Sequence, residues 1–246
     1  MTTLNTRTLE EKSASAQEWA AWPRFAGIPE VDANHLVPPG RRAVIIAPHS
    51  DDEILGCGGL LAQLAELGRK VLLVSVTRGE YKQGLGSQPV FHVPTLPESR
   101  EASRRLCLES VDICRLDFSD GIASNEEQRL SEQLAALIKS TDTVFTAWRE
   151  DGHADHEATG RAASFACVVT GARCIEVPLW AWQWLRPGDD RFPWERARRL
   201  PLDESSLAAK RYAVEAFNTA NGPAPEPILP SHVLSRLFRP WEIFLV

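Results

Sequence analysis

Ala43-Val44-Ile45-Ile46-Ala47-Pro48-His49-Ser50-Asp51-Asp52-Glu53-Ile54-Leu55 runs from five consecutive apolar residues through a proline into five polar ones, then back to apolar residues. The unbroken apolar run predicts a strand buried on both faces. Pro48 favours extended backbone at Ala47 and so helps to end that strand. Asp51 and Asp52 precede a helix starting near Ile54, where backbone N–H groups and the helix dipole stabilise carboxylates. Strand, polar turn and helix in that order form the first half of a βαβ unit, with the polar residues at the carboxyl end of the strand.

Short apolar runs recur at Val71–Val76, Ile113–Leu116, Val144–Thr146 and Ile175–Val177. Between them, Ile54–Leu67, Ser99–Leu108, Glu126–Ile138 and His156–Val169 carry apolar residues three and four apart, as crossover helices require. This alternation predicts a Rossmann-like, doubly wound α/β domain with a mostly parallel sheet, helices on both faces and a ligand site at the carboxyl ends of the strands. Beyond Pro178 the pattern loosens. Trp180, Trp182 and Trp184 alternate like a strand with one aromatic face, and a helix is expected around Asp203–Ala220. That stretch reads as a C-terminal cap on one domain, residues 41–246. Residues 1–40, with Trp19, Trp22 and Phe25, read as a leader packing on the body.

Composition narrows the function classes. The 246 residues are 43% apolar and 24% charged, close to soluble globular averages, which sets aside disorder and coiled coil. A net charge of −6 offers no clustered cation for nucleic acid. No apolar run reaches the roughly 20 residues of a membrane span. The polar start, with Glu10, Glu11 and Lys12, predicts no secretion signal. Five cysteines without a CxxC pair predict reduced thiols in a cytoplasmic protein.

A second polar cluster, Glu150-Asp151-Gly152-His153-Ala154-Asp155-His156, follows the fourth predicted strand and leads into a helix. Capping alone accounts for a lone Asp at such a place. A His beside two adjacent Asp residues, with a second His and Asp cluster at an equivalent strand end, suits a metal site better. His and Asp ligands with an open fourth position are a catalytic zinc set, whereas structural zinc sites are usually Cys-rich.

These two motifs, with Ile54-Leu55-Gly56-Cys57-Gly58-Gly59 after the first, resemble the PIG-L (LmbE-like) zinc-dependent deacetylases from about Arg42 to Ala163. The resemblance implies that His49, Asp52 and His156 bind Zn2+ and that Asp51 is the general base. Fe2+ is the alternative metal. His153 matches a histidine that stabilises the oxyanion or protonates the leaving amine, and Asp155 the carboxylate supporting it. The implied substrate is an N-acetylglucosamine-type sugar conjugate that loses its N-acetyl group. Ser50 stands where the family's motif usually has Pro. Phe217-Asn218-Thr219-Ala220 stands where many relatives have a Ser-Gln pair.

Further substrate-binding candidates are Arg100, near the place of a family arginine, and Arg78-Gly79-Glu80 at the end of the second strand. His232, in the C-terminal echo ahead of Arg239 and Glu242, is a third. Asp120-Gly121 reads as a turn, and Gly56, Gly58 and Gly59 lack the GxGxxG order of a dinucleotide site. A metal-dependent phosphoesterase and a catalytically silent sugar-binding protein are the rival functions; no nucleic-acid or membrane-spanning partner is expected, and the oligomeric state is left open.

Overall fold

Ala43–Ala47 forms β1, the hydrogen-bonded neighbour of two parallel strands at once, β2 (Val71–Thr77) on one side and β4 (Thr143–Ala147) on the other. All three are buried throughout, which is why each reads as an unbroken apolar run. The computed structural model describes residues 14–78, 94–109, 111–121, 126–218 and 228–246. Adding β3 (Val111–Phe118), β5 (Arg173–Val177), β6 (Ala197–Pro201) and β7 (Trp241–Leu245) gives one seven-stranded sheet in the order β3-β2-β1-β4-β5-β7-β6. The first five strands are parallel; β7 runs antiparallel to both β5 and β6.

The period of two divides β1 between two cores. Ala43 and Ile45 pack on one face with α4 (Asp52–Glu66), α5 (Leu96–Arg105) and α8 (Glu204–Val214). Val44 and Ile46 pack on the other with α6 (Glu127–Leu137) and α7 (Ala154–Thr170). The expected α/β architecture is therefore present, with each predicted strand and crossover helix within a few residues of its place.

Two elements differ from expectation. Trp180–Gln183 is a 3-10 turn rather than a strand. The antiparallel pair β6–β7 was not foreseen, because Ala197-Arg198-Arg199-Leu200-Pro201 offers no apolar run, and its backbone pairing with β7 carries the strand instead. Before β1 lie α1 (Ala16–Ala21), α2 (Pro23–Ala26) and α3 (Ala33–Leu36). Trp19 on α1 is fully buried, its ring 5.2 Å from Trp182 and 5.9 Å from Trp194. The last helix, α9 (Ser231–Leu237), precedes β7. Among the described residues no helix is long and apolar enough to cross a membrane.

Candidate metal centre

The strand order reverses at β1, whose chain continues to β2 on one side while β4 lies on the other. A crevice opens at the carboxyl ends of strands flanking such a switch point. The first polar cluster follows β1 and the second follows β4, so residues about 100 apart in sequence share it. Close packing of α7 on the end of β4 holds the second loop there. A Cβ on Gly160 of α7 would lie 2.5 Å from the Ala147 carbonyl oxygen at the end of β4, so only glycine allows this approach.

Asp52 is the focus. His49 Nδ1 lies 3.2 Å and His156 Nε2 3.3 Å from Asp52 Oδ2, which also accepts the His49 N–H at 2.9 Å. The outer nitrogen of each imidazole meets another carboxylate: His49 Nε2 is 3.2 Å from Asp155 Oδ2, and His156 Nδ1 is 2.7 Å from Asp151 Oδ2. His153, the N-cap of α7, accepts the Asp155 N–H at Nδ1, 3.2 Å, so its neutral ring carries a proton on Nε2. Its ring centre is 5.1 Å from that of His49 and 4.8 Å from that of His156.

The electrostatics separate the two adjacent aspartates. Burial and the neighbouring Asp52 charge push Asp51 up to about 7. Burial opposes the charge on Asp52 as well, but the charge and hydrogen bond of His156, with those of His49, hold it well below the usual carboxylate range. Burial lowers His156, yet Asp52 and the bond to Asp151 raise it to about 9. Against the same opposing burial, bonds to Asp155 and Asp52 raise His49. His153, without a carboxylate on its ring nitrogens, is lowered to about 3 by burial and the charge of His156. Asp51 makes no capping hydrogen bond to α4, so helix capping does not employ its side chain.

The structure thus gathers His49, Asp51, Asp52, His153, Asp155 and His156 at one edge of the sheet. Asp155 contacts His153 through its backbone N–H, and its carboxylate lies 3.2 Å from His49 Nε2 and within 4.8 Å of a His153 ring nitrogen. Arg78 is exposed at the end of β2, its N–H donating to the Phe118 carbonyl; Gly79 and Glu80 lie outside the described residues. Arg100 on α5 and His232 on α9 are exposed, and the hydrogen bonds and ring contacts of the described residues tie neither to the cluster.

Sequence reasoning passed over Asp151, Gly121 and Arg115 as contributors and gave Trp180 only as part of an aromatic face. Asp151 is wholly buried behind His156. Gly121, read as a plain turn, donates its N–H to Asp155 Oδ2 at 3.1 Å with φ +74°, a conformation favouring glycine. Trp180 lies over the site, its ring centre 5.9 Å from that of His153 and 6.4 Å from that of His156. Arg115, a lone cation in a strand, donates to Ser50 Oγ at 2.8 Å and to the Pro94 carbonyl at 3.0 Å. The serine in the proline position is itself buried and 2.5 Å from Ser75 Oγ, so hydrogen bonds to β2 and β3 anchor the loop where a ring would have stiffened it.

His49, Asp52 and His156 offer donor atoms within 4.8 Å of one another, as do His49, His153 and Asp155. A tetrahedral ion with bonds of about 2.0–2.2 Å separates its ligand atoms by about 3.3–3.6 Å. The 3.2 and 3.3 Å separations around Asp52 Oδ2 fit that spacing.

Residues 44–167 match the family model described as PIG-L: GlcNAc-PI de-N-acetylase. Over 129 residues the chain is 27% identical to the probable N-acetyl-alpha-D-glucosaminyl L-malate deacetylase 2 of Bacillus cereus, covering 50% of this chain and 59% of that protein. An uncharacterized deacetylase of Escherichia coli, YaiS, is 32% identical over 130 residues, 50% of this chain and 65% of its own. The chain thus spans 59 to 65% of the length of these curated relatives. The conserved protein TT1542 of Thermus thermophilus superposes with a TM-score of 0.50 at 25% identity, over 72% of this chain and 78% of that one. Teicoplanin deacetylase Orf2 in its zinc-inhibited form shares the fold at TM-score 0.52 and 22% identity, over 72% and 83% of the two chains. The family match begins in β1, takes in both polar clusters and ends in α7, half of the 246 residues, and the chain belongs to the PIG-L family.

Proposed function

We propose that this protein is a metal-dependent hydrolase that removes an N-acetyl group from an N-acetylglucosamine-type sugar conjugate. The observation that carries the reading is the pair of imidazoles aimed at one oxygen of Asp52, each backed by a carboxylate on its other nitrogen. Metal-binding histidines are oriented in this way by outer-shell carboxylates. His49, Asp52 and His156 would hold the ion. The alternative set of His49, His153 and Asp155 is the weaker one, because His153 Nδ1 is occupied by a backbone N–H and no carboxylate backs the ring. The donor set suits Zn2+, with Fe2+ as the alternative.

When bound, such an ion supplies a Lewis acid that makes water a nucleophile near neutral pH. Asp51, adjacent to the proposed ligand Asp52 and not used in capping α4, takes the proton from the water that attacks the amide carbonyl. His153, neutral and carrying its proton on Nε2, donates a hydrogen bond to the oxygen as negative charge develops. The amide nitrogen must gain a proton as the C–N bond breaks, and Asp51, protonated in the first step, has one to return. Trp180 forms an aromatic wall beside the imidazoles against which a sugar ring packs.

Acetate release from a panel of N-acetylglucosaminyl conjugates, with metal content measured on the same preparation, tests the proposal. About one metal per chain with acetate release supports it. Phosphate release from sugar phosphates without acetate release overturns it in favour of a phosphoesterase.

A further inference from the structure

We propose that Asp151 is a positioning residue that holds His156 in the tautomer able to bind a cation and, with the same carboxylate, fixes the turn bearing Trp180. The inference rests on the metal reading above. Asp151 has no exposed surface. Its Oδ2 lies 2.7 Å from His156 Nδ1 and accepts the Trp180 N–H at 2.8 Å; its Oδ1 accepts the N–H groups of Leu179 at 3.0 Å and Ala181 at 2.9 Å. Three backbone N–H groups and one imidazole nitrogen converge on a carboxylate, whose oxygens accept, so the imidazole nitrogen is assigned as the fourth donor. With the Nδ1 proton held by Asp151, a metal-binding His156 must present Nε2, the nitrogen that faces Asp52.

Asp151 does not cap the helix that follows it in sequence; its backbone partners open the 3-10 turn at Trp180–Gln183. The His153 side chain caps α7, whereas the backbone partners of Asp151 lie 28 to 30 residues further along the chain. One side chain therefore joins a metal ligand to the aromatic wall, setting both against the same origin. Asp151→Asn keeps the size but turns one acceptor into a donor. If the amide oxygen stays with Leu179 and Ala181, the NH2 group faces His156 Nδ1 and the Trp180 N–H. The histidine then carries its proton on Nε2, the wrong nitrogen for a metal, and the turn loses an acceptor.

Asp142 provides the comparison. It is equally buried, accepts the Lys139 N–H and pairs with Arg42, but it precedes β4 at the opposite end of the sheet. The test is the apparent Zn2+ dissociation constant of the whole protein, measured by competition with a chromophoric chelator for wild type, Asp151→Asn and Asp142→Asn. Circular dichroism and melting curves check folding. We expect Asp151→Asn to bind Zn2+ about 10–100-fold more weakly. Asp142→Asn should melt earlier and bind Zn2+ as wild type does. A folded Asp151→Asn with wild-type affinity, or an equal loss in both variants, overturns the proposal while leaving the metal reading in place. If Asp151→Asn does not fold, imidazole 15N NMR of the zinc-loaded wild type decides. A proton on His156 Nδ1 with zinc on Nε2 supports the proposal, and zinc on Nδ1 overturns it. A wild type that takes up no divalent ion overturns the metal reading and this inference together.

Discussion

Buried charge is handled in opposite ways at the carboxyl edge of the sheet and in the layer between α4, α8 and β7. In that layer Lys210 and Glu242 satisfy one another: Glu242 takes the Lys210 ammonium and the N–H groups of Gly59 and Leu60, each at 2.8 Å. At the carboxyl edge the carboxylates of Asp51, Asp52, Asp151 and Asp155 crowd around three imidazoles, and Asp52 Oδ2 faces two of them at once. A matched buried pair needs nothing further, and breaking it costs stability. A surplus of carboxylates at a switch point is what the proposed cation would neutralise. Buried charge alone therefore does not single out the proposed site in this chain; its excess of carboxylates does.

Replacing a proposed ligand is the hardest break. His156→Ala should take the metal content from about one per chain to none and abolish turnover, with elemental mass spectrometry and an acetate assay as the checks. Asp51→Asn comes next: metal content should stay and kcat should fall about 10²–10⁴-fold, because only proton transfer is lost. Full activity in that variant would remove Asp51 from the mechanism. Lys210→Met probes the other side of the comparison. Leaving Glu242 uncompensated should lower unfolding stability by about 3–5 kcal/mol in urea titrations while metal content per folded chain is unchanged. Loss of metal there would dissolve the distinction between the two regions. Trp180→Ala is the mildest, raising KM about 2–10-fold through loss of a ring contact of about 0.5–1.5 kcal/mol, with kcat little altered.

Much of this was legible from residues alone, for local reasons. Strands buried on both faces must be apolar throughout, so β1, β2 and β4 announce themselves, and Pro48 marks where β1 stops. The His and Asp clusters follow strands β1 and β4, and topology brings those strand ends together. What escaped depends on distant partners. Arg198 and Arg199 disguise β6, which exists because β7 pairs with it. Trp180, Trp182 and Trp184 alternate as a strand would, yet the N–H groups of Leu179, Trp180 and Ala181 turn onto Asp151 and the segment winds into a 3-10 turn. Glu150-Asp151-Gly152 looks like an ordinary turn until His156 and those backbone groups are seen to close on it.

The sequence by itself determined the alternation of strands and helices, the doubly wound class and the two clusters of metal-binding residue types. Periodicity, proline and the acid–imidazole pairing act within a few residues of chain. The tertiary structure alone decided which nitrogen of each histidine faces Asp52, that the Asp155 carboxylate lies against His49 Nε2, and that Asp151 stands behind His156. Those choices depend on contacts that reach from 3 to 106 residues along the chain. Spacing in a sequence limits which groups can meet; only the packed sheet and its loops set the direction in which each donor and acceptor points.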